Sequence, residues 1–221
     1  SFDGSTETYA ASVGNSVSSI TITPTVTQAN ATTAQYIGAT GTTLFTGALS
    51  VGANVIRTVV TAQDGTTKRT YTVTVTRLSN DATLSNTSVI KGLAPTLGTP
   101  NVSLGSETAG TLTLTTAQAT GSAATTFVLS NSSATINRIV KFAAGSQVSN
   151  FESETAFSNG SLAQITTGDF FVIQVTAGDG SVKYTRVNIT VNSNIATLSN
   201  LSVIKGQTPT LGTSNATLGS E

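Results

Sequence analysis

The sequence predicts an all-β chain: tandem antiparallel β-sandwiches followed by an extra C-terminal strand-forming segment. Three observations predict it. Thr is the commonest residue, at roughly one in five, and Val and Ile recur beside it with a period of two. These β-branched residues restrict χ1, which disfavours helices and suits a pleated, half-buried surface. Asp64-Gly65 and Asp179-Gly180 each sit between alternating apolar runs, VIRTVVTA (55–62) and RTYTVTVT (69–76) in one case, FFVIQVTA (170–177) and YTRVNITV (184–191) in the other. A tight turn needs positive φ, which Gly supplies at no steric cost, so both read as hairpins closing successive sandwiches. Finally, residues 81–107 (DATLSNTSVIKGLAPTLGTPNVSLGSE) return at 195–221 (IATLSNLSVIKGQTPTLGTSNATLGSE), a period of 114 residues with 20 of 27 positions identical. An ungapped match of that quality within one chain marks duplication and a repeat architecture.

The first domain is expected over 1–78, with strands at 8–13 (TYAASV) and 17–26 (VSSITITPTV), a short pair near 34–37 and 43–46, and the closing hairpin. Alternation turns Ile20, Ile22, Val73 and Val75 inward and Thr21, Thr23, Thr72, Thr74 and Thr76 outward. The second domain is expected over 79–192, with strands at 83–90, 110–116, 125–130, 136–142 and 162–166 before its hairpin. There Phe171, Ile173 and Val175 form one face of the penultimate strand, and Val187, Ile189 and Val191 one face of the last. No long helical period occurs; only 147–157 allows a short helical turn. Residues 193–221 begin a further repeat or form a donor-strand segment.

Composition narrows the chemistry. Ten Lys plus Arg balance ten Asp plus Glu, and the chain has no His, Cys, Met or Trp. The common zinc and copper ligand sets, haem anchors, and Ser-His-Asp and Cys-His nucleophile systems therefore cannot be built, and no cofactor and no enzyme activity are expected. Without a basic excess there is no electrostatic footprint for nucleic acid or an anionic membrane. No apolar run approaches the roughly 18–20 residues that cross a bilayer. Low charge, abundant Thr and Asn, and the absence of Cys and Met point to an extracellular or cell-surface chain.

The remaining candidates read as structure. Glu152 and Glu154 lack the cluster of aromatic sugar platforms that would support a glycosidase pair. Asp64, Asp169 and Asp179 are turn residues rather than members of an Asp-rich calcium loop, and an inter-domain ion at Asp81 would need backbone carbonyls. Outward Thr ladders are the ordinary solution for a solvated sheet face, and four Tyr residues are too few for a sugar-stacking platform.

YAASVGNSVSSITITPTV and GALSVGANVIRTVVTAQDGTTKRTYTVTVTR carry a further pattern through Tyr9, Val17, Ile20, Ile22, Pro24, Leu49, Val51, Gly52, Asn54, Ile56, Asp64, Gly65, Lys68, Tyr71 and Arg77. It resembles the cadherin-like β-sandwich repeat of bacterial surface proteins, an Ig-like fold, over roughly residues 2–77. In the second half only the closing hairpin and the opening Ala-Thr-Leu-Ser-Asn strand follow it. The resemblance implies a tandem spacer or adhesion module with no catalytic residues. It also implies an opening strand that the first domain lacks, while 196–204 (ATLSNLSVI) is a strand of that kind with no domain after it.

Two readings of this follow: a piece of a longer array, or donation of 195–204 to a neighbour's open sandwich through Leu198, Leu201, Val203 and Ile204. Head-to-tail donation gives a filament or lattice. The expected function is that of a subunit or spacer of an S-layer, fibre, sheath or adhesin stalk, with copies of itself or neighbouring repeats as partners. The alternatives are an accessory module binding carbohydrate, such as cell-wall glycan, or a virion decoration.

Overall fold

The computed structural model describes residues 2–193. The first sheet contains β1 (Thr8–Val13), β2 (Thr32–Ile37), β3 (Gly52–Thr61) and β4 (Lys68–Arg77), in the order β1-β4-β3-β2. The second contains β5 (Gly110–Thr115), β6 (Thr135–Phe142), β7 (Phe170–Thr176) and β8 (Val182–Asn192), in the equivalent order β5-β8-β7-β6. Between β5 and β6 lies the short helix α1 (Thr116–Thr120), and a 3-10 turn spans Val148–Asn150.

Both Asp-Gly turns form as expected, with Gly65 at φ 70° and Gly180 at φ 88°. They are not the same length. Thr61 pairs with Lys68 in the first hairpin, whereas Thr176 pairs with Val182 in the second, so the second turn is one residue shorter. Lys183 therefore stands opposite Val175 and is not the counterpart of Lys68, despite the similar local sequence.

Pairing within each sheet is antiparallel except at one edge, where β1 joins β4 and β5 joins β8 in parallel. An antiparallel neighbour needs only a short turn. These edge strands instead meet their partners across a long stretch of chain, which frees their direction.

The opposing layer is less regular than the alternation predicts. Residues 17–26, 125–130 and 162–166 touch their neighbours only through isolated bridges, among them Ser19 with Ala48 and Ala124 with Leu162. Burial still alternates along 20–26, with Ile20 and Ile22 packed against the first core. Residues 83–90 form two bridged pieces, Leu84 with Leu129 and Val89 with Thr126. Asn86 and Thr87 bulge outward between them. The bulge closes because Ser88 N–H donates to Ser85 O, and the Ser88 hydroxyl spans the main chain of Val128, donating to its O at 3.2 Å and accepting from its N–H at 2.9 Å. Just beyond, Gly98 lies where two backbones meet: a Cβ there would stand 1.7 Å from Thr108 O.

The second core unites Leu84, Ile90, Phe127, Phe171, Ile173, Val175, Val187 and Ile189. The first is smaller, with Leu49, Ile56 and Val75 buried and Ile20, Ile22, Phe45 and Val73 half-buried around them. The reverse face of the second sheet is also covered. Phe170 and Val172 pack with Val140, Phe142 and Phe151, and Phe170 stacks on Phe142 at 4.8 Å beneath the Arg186 guanidinium. A continuous run such as FFVIQV is what two-sided burial requires.

Two-sided burial makes neighbouring phenylalanines equivalent in cost. Phe170→Ala and Phe171→Ala are each expected to destabilise the chain by about 3–5 kcal/mol in urea unfolding. A loss under about 0.5 kcal/mol at Phe170, the surface-residue value, would contradict a covered reverse face.

Candidate functional site: an open groove on the first sheet

The two sheets can be superposed residue by residue through their hairpin registers. Val60, Thr58 and Ile56 of β3 stand opposite Arg69, Tyr71 and Val73 of β4. Val175, Ile173 and Phe171 of β7 stand opposite Lys183, Thr185 and Val187 of β8. In the second sheet Val175, Thr185 and Val187 are all at most 2% exposed. Their counterparts Val60, Tyr71 and Val73 are only half-buried.

The difference is a groove of about 670 Å³ over the β3–β4 face. Its far wall is residues 22–28, including Ile22, Pro24 and Val26, and Phe2 stands at its rim. Phe2 stacks on Tyr9 at 5.0 Å, but the tyrosines of this cluster are engaged. Tyr9 OH donates to Asp3 O, and Tyr71 OH donates to Gly4 O at 3.0 Å. Arg69 Nε reaches Glu7 Oε1 at 2.7 Å on the same side. These contacts hold residues 2–7 along β4.

The groove's far wall has an unpaired backbone edge. Ile20 N–H donates to Gly47 O, and Gln35 Nε2 donates to Ile22 O at 2.8 Å. Among the described residues, the main-chain groups of Thr21, Thr23 and Thr25 have no hydrogen-bond partner. The corresponding wall of the second half is fixed in the same way, then completed. Thr125 N–H donates to Ser161 O, and Asn159 holds both N–H and O of Phe127. Ile20 thus corresponds to Thr125 and Ile22 to Phe127. The outer edge of that wall is occupied by 83–90, whose Leu84 and Ile90 enter the core.

Lys91, directly after that segment, has a left-handed backbone at φ 54° and is 3% exposed. Its Nζ donates to Gly121 O and, at 2.8 Å, to Ala163 O. The role is structural: a buried cation spends its protons on carbonyls that would otherwise lack donors.

The aspartates expected in turns are there. Asp64 accepts from the N–H groups of Thr66 and Thr67 and from the Thr67 hydroxyl, which pull its carboxyl from 3.8 to about 2. Asp179 and Asp81 cap Ser181 and Thr83 in the same manner. Asp169 does more than turn the chain. It is 2% exposed and bonds Thr166 and, at 2.9 Å, Lys141. Burial raises its pKa, but these donors outweigh burial and leave it below the ordinary value. Asn54 holds the equivalent bend before β3, bonding Ser50, Gly52 and Val75.

Glu152 and Glu154 lie on a turn after the 3-10 segment rather than on a strand. The Arg138 guanidinium beside them bonds their main-chain carbonyls. Among the described residues there is no group of three or more His, Cys, Asp or Glu able to hold a metal ion. Leu198, Leu201, Val203 and Ile204 lie outside the described residues. Sequence reasoning missed the unpaired main-chain edge at Thr21, Thr23 and Thr25 and the Ser88 clamp. The repeated Ser at 88 and 202 was the available signal.

Residues 1–78 match the Cadherin-like beta sandwich domain family. No curated protein matches the chain. A solved structure described as "Bacteroides ovatus mixed-linkage glucan utilization locus (MLGUL) SGBP-B in complex with mixed-linkage heptasaccharide" is similar over 81% of this chain and 42% of its own length. Its identity is 14% and its TM-score 0.25, a likeness too weak to carry an argument.

Two measurements check this electrostatic account. A carboxylate whose folded pKa is depressed contributes stability that is present above the unfolded value and lost as pH falls through the folded one. The Asp64 carboxyl carbon is therefore expected to titrate near 2 by NMR; a midpoint near 4 would refute the Thr66–Thr67 cap. Lys91→Met strands the buried Ala163 carbonyl and the part-buried Gly121 carbonyl and is expected to cost about 1–3 kcal/mol in denaturant unfolding.

Proposed function

We propose that the chain is a non-catalytic structural subunit or spacer of an extracellular assembly, an S-layer, fibre, sheath or adhesin stalk. It is divided into sandwich domains at 1–78 and 79–192 and a strand-bearing segment at 193–221. It extends head-to-tail by donating residues 195–204 to the open sandwich of a neighbour, and its partners are copies of itself or neighbouring repeats. The observation that carries this reading is the contrast between the two sheets. They share one strand order, but where the second buries Val175, Thr185 and Val187, the first leaves Val60, Tyr71 and Val73 half-buried. The covering segment recurs in sequence at 196–204. The family match over 1–78 supports a sandwich repeat. The neutral net charge removes long-range repulsion between copies.

A glycan-binding reading has one feature in its favour, the Phe2–Tyr9–Tyr71 cluster at the groove rim. The tyrosine hydroxyls already hold residues 3 and 4, and Phe2, stacked on Tyr9, is the exposed ring of the cluster.

Light scattering and electron microscopy of the full 221-residue chain test the assembly reading. The expected outcome is growth of filaments or sheets with concentration. A monodisperse monomer at high concentration would sink it. Saturable retention on insoluble cell-wall glycan, lost in Phe2→Ala, would favour the glycan reading instead.

A further inference from the structure

We infer that the groove on the first sheet is a register-specific acceptor for residues 197–204 of a second copy of this chain. This rests on the assembly reading above and specifies its contact. In the second half, Ser85 N–H donates to Val128 O, Ser130 N–H donates to Thr83 O, and Val89 and Thr126 exchange both main-chain bonds. The duplication maps Thr83, Leu84, Ser85, Ser88, Val89 and Ile90 onto Thr197, Leu198, Ser199, Ser202, Val203 and Ile204, every one an identity. The correspondence of Ile22 with Phe127 maps Thr126, Val128, Leu129 and Ser130 onto Thr21, Thr23, Pro24 and Thr25. In this register Ser199 N–H donates to Thr23 O, Thr25 N–H donates to Thr197 O, and Val203 exchanges both bonds with Thr21. The Ser202 hydroxyl spans the N–H and O of Thr23. Leu198 and Ile204 enter the groove over Val60, Tyr71 and Val73.

Three features of the acceptor agree with this register and with no one-residue slip. Proline has no N–H, and Pro24 falls at the position of Leu129, whose N–H takes no part in pairing with 83–90. Ile22 O, already taken by Gln35, corresponds to Phe127 O, which is likewise taken from the inner side by Asn159. Among the described residues, Thr21, Thr23 and Thr25 have neither main-chain group engaged, so every acceptor group this register uses is available. A slip by one would bring Ile22 and Pro24 to bonding positions and turn Leu198 to solvent. Leu201 replaces Thr87, which is exposed on the bulge, so it lies outside the groove contact.

The order of elements selects a second copy as the source. Residues 83–90 cover the sheet that follows them in the chain. Residues 197–204 follow both described sheets, and the same order is preserved when they cover the first sheet of the next copy. A head-to-tail contact of this kind is not self-complementary, so it extends into a filament or a ring rather than a two-fold dimer.

The chain has no Cys, so single cysteines report cleanly. A chain carrying Pro24→Cys is mixed with one carrying Leu198→Cys under mild oxidation. Leu198 and Pro24 form a non-hydrogen-bonded antiparallel pair, with Cα atoms about 4.5 Å apart, within disulfide reach. The expected product is a mixed disulfide dimer, at least about tenfold more abundant than with Ser199→Cys as donor. Thr21→Cys with Val203→Cys repeats the test should Pro24→Cys not fold. Ser202→Ala is expected to weaken association about tenfold by light scattering, through two lost hydrogen bonds.

Association without a mixed disulfide at either pair would overturn this contact and leave the assembly reading standing. Equal cross-linking through Ser199→Cys would overturn the register. A disulfide formed only within one doubly substituted chain, running as a monomer, would make the occupant the chain's own segment and overturn the second copy. A chain that never associates would remove the assembly reading and this inference together.

Discussion

The apolar face of a twisted sheet has to be shielded from water, and the two sheets of this chain meet that demand to different degrees. Burying a Val, Leu or Ile side chain is worth about 1.5–3 kcal/mol. The second sheet collects this on one face from Phe171, Ile173, Val175, Val187 and Ile189, and again on its reverse from Phe170 and Val172. The first sheet places Ile56 and Val75 deep in its core but leaves Val60 and Val73 half covered. That shortfall sits where the second half lays 83–90 across its own sheet, so the groove is defined by the chain's internal comparison as much as by its shape.

Local detail in the repeated motif serves this covering role. Leu84 and Ile90 fill the core, Ser85 and Ser88 join the opposing wall, Lys91 satisfies two stranded carbonyls, and Gly98 permits a backbone contact that any side chain would block. The second copy of the motif keeps every one of these residues. Of its seven changes, those at Thr87 and Asp81, to Leu201 and Ile195, fall outside the core, whereas Leu93, which packs against the core, is replaced by Gln207.

Much of the fold was legible because two-residue periodicity and Asp-Gly turns are local signals. β1 was read to the residue, and both hairpins and their inward faces were read correctly. The opposing layer was harder. Residues 17–26 and 83–90 look like strands by composition, yet their conformation is set by few hydrogen bonds and by side chains reaching across from Gln35, Ser88 and Asn159. α1 escaped the periodicity argument because five residues carry none, although its Thr115-x-x-Gln118 capping box is written in the sequence. The unpaired edge of the groove could not be read at all. An unpaired N–H is a property of what lies beside a segment, not of its residues.

The parallel pairing of β1 with β4 has a mechanical consequence. The chain enters the first unit at Thr8 and leaves it at Arg77, on two neighbouring strands that run in the same direction. Tension along the polypeptide therefore draws β1 and β4 past one another. Six residue pairs, from Thr8–Thr72 to Val13–Arg77, bear the load together instead of opening one at a time from an end. β5 and β8 repeat the parallel pairing between Gly110 and Asn192, but there 83–90 is bound to the opposing layer ahead of β5. The first sheet thus resists stretching in shear, the geometry in which a ladder of individually weak bonds holds longest.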